Sequence, residues 1–169
     1  MNRIAAVLLA STIIVLSTAA PAAAGETDTR DEPSRVCWTA PESEGVTCFA
    51  DEETWKDAVY EQTGRVVLEE GESARGLLAT YVIARLYQDA SYGGSVYAIT
   101  STSSTICSTG SVQANLPAAW SDVVSSFRSY LGCTTTLYEN TGQGGASISG
   151  TNVTSLGSMN DKASSYRVS

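Results

Sequence analysis

Two eight-residue stretches place an aspartate three residues ahead of a serine pair: Ser121-Asp-Val-Val-Ser-Ser-Phe-Arg128 and Asn160-Asp-Lys-Ala-Ser-Ser-Tyr-Arg167. Short oxygen-bearing side chains in a loop before a strand either satisfy nearby backbone groups or coordinate a hard cation. Other chemistries have less to work with. The 169 residues include no histidine, which excludes imidazole-based triads and histidine-ligated zinc. The dense carboxylate groups, Asp51/Glu52/Glu53 and Glu69/Glu70, lie in polar segments and read as solvated faces, with nothing to organise them across a cleft. No enzyme is expected.

Net charge is −8 (18 acidic against 10 basic residues), which argues against nucleic acid and anionic membranes as partners. The N-terminus has Arg3, an apolar run over Ile4–Val15, and Thr18-Ala-Ala-Pro-Ala-Ala-Ala24 ending in an Ala-x-Ala pattern. This reads as a signal peptide over 1–24 and predicts a secreted, extracellular chain that leaves the membrane after cleavage. In an oxidising compartment Cys37, Cys48, Cys107 and Cys133 are expected to form two disulfides. Of three possible pairings, Cys37–Cys48 with Cys107–Cys133 is favoured, because one pair falls within each compositional region. A four-cysteine zinc site lacks any Cys-x-x-Cys spacing.

The elements that must position the aspartates and serines follow from composition. Residues 25–36 are charged, contain Pro33 and lack periodicity, so they read as a flexible leader. Residues 37–80 form a small N-terminal unit and linker. Within it Trp55, Ala58, Val59 and Gln62 recur at helical spacing after Asp51, Glu52 and Glu53, Gly64 stops the helix, and Arg65-Val-Val-Leu68 reads as a short strand. Residues 69–80 read as the linker. From 81 onward the chain is rich in Ser, Thr, Gly and Tyr, broken into short runs such as Tyr81–Tyr87 and Ser95–Thr100, the pattern of an all-β sandwich or barrel.

An internal repeat sharpens that reading. Leu86-Tyr-Gln-Asp-Ala-Ser-Tyr-Gly-Gly94 aligns with Leu137-Tyr-Glu-Asn-Thr-Gly-Gln-Gly-Gly145, and the two aspartate–serine stretches align with each other in the same order. The first copy needs a longer middle loop, placed around Ser101–Ser111 and containing Cys107. In each hairpin an aromatic residue is followed by glycines that permit positive φ, so the hairpin can fold back over the ring. Tyr87, Tyr138 and Trp120 are expected in the core, Arg128 and Arg167 at the surface or clamping the hairpins, and the Asn152-Val-Thr154 sequon reads as chance.

These repeated elements resemble the βγ-crystallin superfamily. The resemblance covers residues 81–169 and implies one all-β domain, a βγ-crystallin-type sandwich with Greek keys at about 81–131 and 132–169. It implies two antiparallel four-stranded sheets, each Greek key lending a strand to its partner. It also implies calcium sites shared between the keys. One would use Ser125 Oγ, the Val123 carbonyl and the Asp161 side chain; the other would use Ser164 Oγ, the Lys162 carbonyl and the Asp122 side chain. Carbonyls of Gln88 and Glu139 would complete the sets. Coordination by oxygens with few carboxylates suits Ca²⁺ at roughly 10⁻⁴ M. Asn160-Asp161 matches the family element fully, whereas Ser121 departs from it and weakens one site. The serines also have a purely structural role open to them, locking the folded hairpin.

Two functions are expected from this reading. The first is a secreted, monomeric calcium-binding module. The alternative, by resemblance to bacterial metalloproteinase inhibitors of this fold, is a proteinase inhibitor acting on an extracellular proteinase through the loop at Ser101–Ser111.

Overall fold

Apolar residues fill nearly every position of Ala79–Tyr87, so this strand has to be covered on both faces. In the computed structural model, which describes residues 34–41, 43 and 45–169, that demand is met by a second sheet on one side and a helix on the other. The strands are β1 (Val36–Thr39), β2 (Val46–Phe49), β3 (Val66–Leu68), β4 (Ala79–Tyr87), β5 (Val96–Ser101), β6 (Val112–Asn115), β7 (Ser126–Ser129), β8 (Thr135–Asn140), β9 (Gly144–Gly150), β10 (Asn152–Val153) and β11 (Ser165–Val168). The helices are α1 (Glu52–Thr63) and the single turn α2 (Ile106–Thr109). The signal-peptide pattern and most of the leader lie outside the described residues.

The first sheet runs β10-β7-β4-β5-β1-β2, with β3 also beside β4; the second runs β6-β11-β8-β9. Four strands of each Greek key are thus split three and one. β4, β5 and β7 stay together while β6 crosses to the second sheet; β8, β9 and β11 stay together while β10 crosses to the first. Between the sheets lies the main core, with Leu86, Phe127, Leu137, Leu156 and Val168 fully buried. A register shift between Val82 and Ala84 turns Ile83, Ala84 and Leu86 into that core and leaves Val82 and Arg85 on the outer face.

That outer face is where the N-terminal unit differs from the expectation of two plain four-stranded sheets. β1 joins β5 in parallel, β3 joins the start of β4 in parallel, and β2 closes β1 as a hairpin, so the first sheet is mixed and has seven strands. Short strands of three or four residues show little alternation, which is why the sequence hides them. Val36, placed at the end of the leader, is a core residue of β1, and β4 begins at Ala79, inside the expected linker. Helix α1 forms as its pattern predicts. Asp51 accepts from Thr54 N at 2.8 Å, and this backbone hydrogen bond holds its carboxyl below the ordinary aspartate range. Gly64, at φ 66°, ends the helix in the left-handed conformation. Trp55 and Val59 on its inner stripe pack with Val36, Trp38, Val67, Val82, Val96 and Ala98 in a second core.

The carboxylates read as solvated faces are not all solvated. Glu52 on α1 and Glu69 after β3 both reach Arg85, at 2.6 and 2.5 Å, and the guanidinium also lies 5.6 Å from the Trp55 ring. Burial alone would lower the Arg85 pKa. The hydrogen bonds that Arg85 donates to Glu52 and the charges of Glu69 and Glu52 outweigh it and raise it above the ordinary value, so Arg85 stays charged under its cover. The disulfides are Cys37–Cys48, across the β1–β2 ladder, and Cys107–Cys133, tying α2 to the turn before β8.

Candidate metal centre

The two aspartate–serine loops meet each other. Asp122 N donates to Ala163 O at 2.9 Å, and Asp161 N donates to Val124 O at 3.1 Å, so each loop supplies the backbone acceptor for the other. Both aspartates take positive φ, 59° and 52°, a conformation that short polar side chains tolerate and bulky ones avoid. This geometry turns each carboxylate toward the opposite Greek key. Ser125 Oγ donates to Asp161 Oδ1 at 3.1 Å, and Ser164 Oγ donates to Asp122 Oδ1 at 3.4 Å.

The hairpins come to the same places. Ser125 N donates to Tyr87 O and Ser164 N to Tyr138 O, both at 2.9 Å, which sets Gln88 beside Ser125 and Glu139 beside Ser164. The second serine of each pair locks the fold of the hairpin. Ser126 Oγ donates to Asp89 O and accepts from Tyr92 N; Ser165 Oγ donates to Asn140 O and accepts from Gln143 N. Gly94 and Gly145 are required here. Both have positive φ, and a Cβ on either would sit 2.7 Å from the side chain of Asp89 or Asn140. Tyr87 and Tyr138 are half-buried where core positions were expected, while Trp120 is buried.

Asp161, Val123, Ser125 and Gln88 therefore gather in one cluster, and Asp122, Lys162, Ser164 and Glu139 in its pseudo-symmetric mate. The clusters are not equivalent. Asn160 Nδ2 donates to Asp161 Oδ2 at 2.6 Å, which fixes that carboxylate with Oδ1 toward Ser125. Ser121, at the corresponding position, cannot do this for Asp122. It donates instead to Ser164 Oγ at 3.2 Å and so occupies a lone pair of the hydroxyl that a cation would use. The Glu139 carboxylate accepts from Ala146 N at 3.3 Å, inside its own hairpin. Asp89 and Asn140 are participants that sequence reasoning quoted without assigning a role; their shared position in the repeat was the available signal.

The donor set fits calcium. A hydroxyl and a carboxylate oxygen face each other at each cluster, and the pair 3.1 Å apart matches neighbouring ligands at calcium's 2.3–2.6 Å bond lengths. Among the described residues no three His, Cys, Asp or Glu side chains group together.

Two Greek keys exchanging their third strands, each with a hairpin folded back and locked by a buried serine, decide the architecture. The domain has the βγ-crystallin fold. No protein-family model matches the chain, and no curated protein matches it either. Among solved structures it is similar to a βγ-crystallin domain from Flavobacterium johnsoniae (28% identity, TM-score 0.42, covering 52% of this chain and 93% of that one). It is similar also to a βγ-crystallin domain from Clostridium beijerinckii (22%, TM-score 0.40, 51% and 95%) and to the N-terminal domain of protein S (22%, TM-score 0.42, 52% and 94%). Each likeness spans half of the present chain.

Proposed function

We propose that this chain is a secreted calcium-binding βγ-crystallin-type protein in which the ion staples the two Greek keys together. The observation that carries the reading is the pairing of Ser125 with Asp161 and of Ser164 with Asp122, each across the two keys. Asp161, held by Asn160, would present one carboxylate oxygen, with Ser125 Oγ and the Val123 and Gln88 carbonyls beside it. Asp122, Ser164, Lys162 and Glu139 would form the second site, weakened by Ser121. Calcium, when bound, supplies positive charge between loops that otherwise meet through hydrogen bonds alone. Export is supported by the signal-peptide pattern and agrees with two disulfides.

The inhibitor reading has less to stand on. Cys107–Cys133 does tether the Ser101–Ser111 loop, but that loop carries the α2 turn and hydrogen bonds among Ser103, Thr105 and Ser108. A helical turn does not offer a proteinase an extended, substrate-like segment.

Titrating Ca²⁺ into chelator-treated protein by calorimetry tests the proposal. Saturable heat accompanied by a raised melting temperature is expected, with the stronger site lost in Asp161→Ala. No heat and no thermal shift would leave the aspartates and serines as hairpin architecture.

A further inference from the structure

The duplication gives the two sheets equivalent strands, β5 in the first and β9 in the second. The free side of β5 is closed by β1, which is closed in turn by β2 and bridged to it by Cys37–Cys48. Among the described residues β9 pairs with β8 alone, leaving one row of backbone donors and acceptors open along its length. Exposed edges are ordinarily guarded by lysine, proline, an inward-pointing charge or a bulge, which stop another strand from adding. Gly144-Gly-Ala-Ser-Ile-Ser-Gly150 contains no charge and no proline, and the ladder's one irregularity lies at its hairpin end, opposite Tyr138–Asn140.

The strand is also chemically palindromic about Ile148. Ile148 lies opposite Leu137 and packs, half-buried, against the rim of the main core. Ser147 and Ser149 are exposed on the other face, and Ser149 Oγ is 2.6 Å from Thr136 Oγ1. We propose that β9 pairs antiparallel with β9 of a second copy about a two-fold axis at Ile148. Ile148 then meets Ile148, Ser147 meets Ser149 and Ala146 meets Gly150, so every cross-strand pair is matched in size and polarity. No charged side chain of β9 is brought against another, on a chain that otherwise carries net charge −8. The two second sheets become one continuous sheet, and the rim of each core gains the other's isoleucine. A single strand pair buries less than a standard stable interface, so the dimer is a weak, reversible one that dissociates on dilution, where the monomer expected from sequence prevails.

Sedimentation equilibrium of the full chain, from micromolar to about 1 mM, should show average mass climbing reversibly toward twice the monomer value. Ser147→Lys/Ser149→Lys sets lysine against lysine on the exposed face without touching the core; it should stay folded by circular dichroism and remain monomeric. Ile148→Cys should give a covalent dimer on mild oxidation, whereas Gln113→Cys, on the β6 edge of the same sheet, should not. A chain that stays monomeric at the highest concentration overturns the proposal. So does a dimer that survives the double lysine substitution, or one cross-linked through Gln113→Cys.

Discussion

In the first Greek key Asp122 reaches the second key's backbone at Ala163, and in the second Asp161 reaches the first key's at Val124; Ser126 and Ser165 hold the two hairpins through matching bonds. Outside this shared skeleton the copies part. Arg85 in the first corresponds to Thr136 in the second, Tyr92 to Gln143, Ser121 to Asn160, and the α2 loop with Cys107 has no counterpart. The first copy is the covered one, its outer face lying under α1 and its free strand under β1, and it keeps the buried arginine and the extra staple. The second is bare and keeps the better-ordered aspartate loop, with Asn160 holding Asp161. The backbone bonds that link the copies are the same in both, while the side chains that differ face the N-terminal unit at Arg85, their own hairpin at Tyr92 and the opposite key at Ser121.

The largest break in that comparison should come from Cys107→Ser/Cys133→Ser. The bridge closes a segment of 26 residues running from the first copy's α2 loop to the start of the second, and its loss should cost about 3.5 kcal/mol in a urea melt. Next is calcium. At a concentration a hundred times Kd, one site should add about 2.7 kcal/mol, a gain that Asp161→Ala abolishes at the tighter site. Asp122→Ala should remove less, and Ser121→Asn should bring the two sites closer in calorimetric affinity. The arginine follows. Glu52→Gln/Glu69→Gln leaves the buried Arg85 with amide acceptors in place of its two carboxylates and should cost about 2 kcal/mol by thermal denaturation, less than a fully broken buried pair because an acceptor remains and both glutamates are partly hydrated. Thr136, its counterpart, should tolerate replacement by valine with little change.

The smallest effect concerns alkaline pH. Burial, ahead of any neighbouring group, raises the Tyr97, Tyr130 and Tyr166 hydroxyls above the ordinary value near 10. Their neutral forms thus contribute stability that is complete below pH 10 and drains away as pH climbs through the raised values. A melting temperature flat up to pH 10 and falling beyond it is expected, with a shallower fall for Tyr166→Phe.

The repeat made the double Greek key, its hairpins and its aspartate–serine loops legible, because a pattern seen twice in one order cannot be local accident. The disulfide pairing and helix α1 were legible too, from compositional region and from helical spacing capped by Asp51 and Gly64. What stayed hidden depends on partners far along the chain. Arg85 sits in an apolar run that does not reveal which side a bulge at Ile83 will turn it to, and Glu52 and Glu69 gain meaning only once α1 lies over the sheet. The asymmetry of the two aspartate–serine loops was half visible. Ser121 stands out as a departure, but its donation to Ser164 needs the opposite loop in place.

The parallel pairing of β1 with β5 joins residues sixty positions apart, with all of α1, β3 and β4 between them. Closing so long a loop carries an entropy cost that is recovered only when the distant strand exists to receive it. Val36 and Trp38 cannot be covered until Val96 and Ala98 have emerged, and Trp55 waits with them. The part of this protein that is synthesised first therefore stays open until the second strand of the first Greek key has followed it, and until then Trp38 and Trp55 are exposed to whatever escorts the nascent chain.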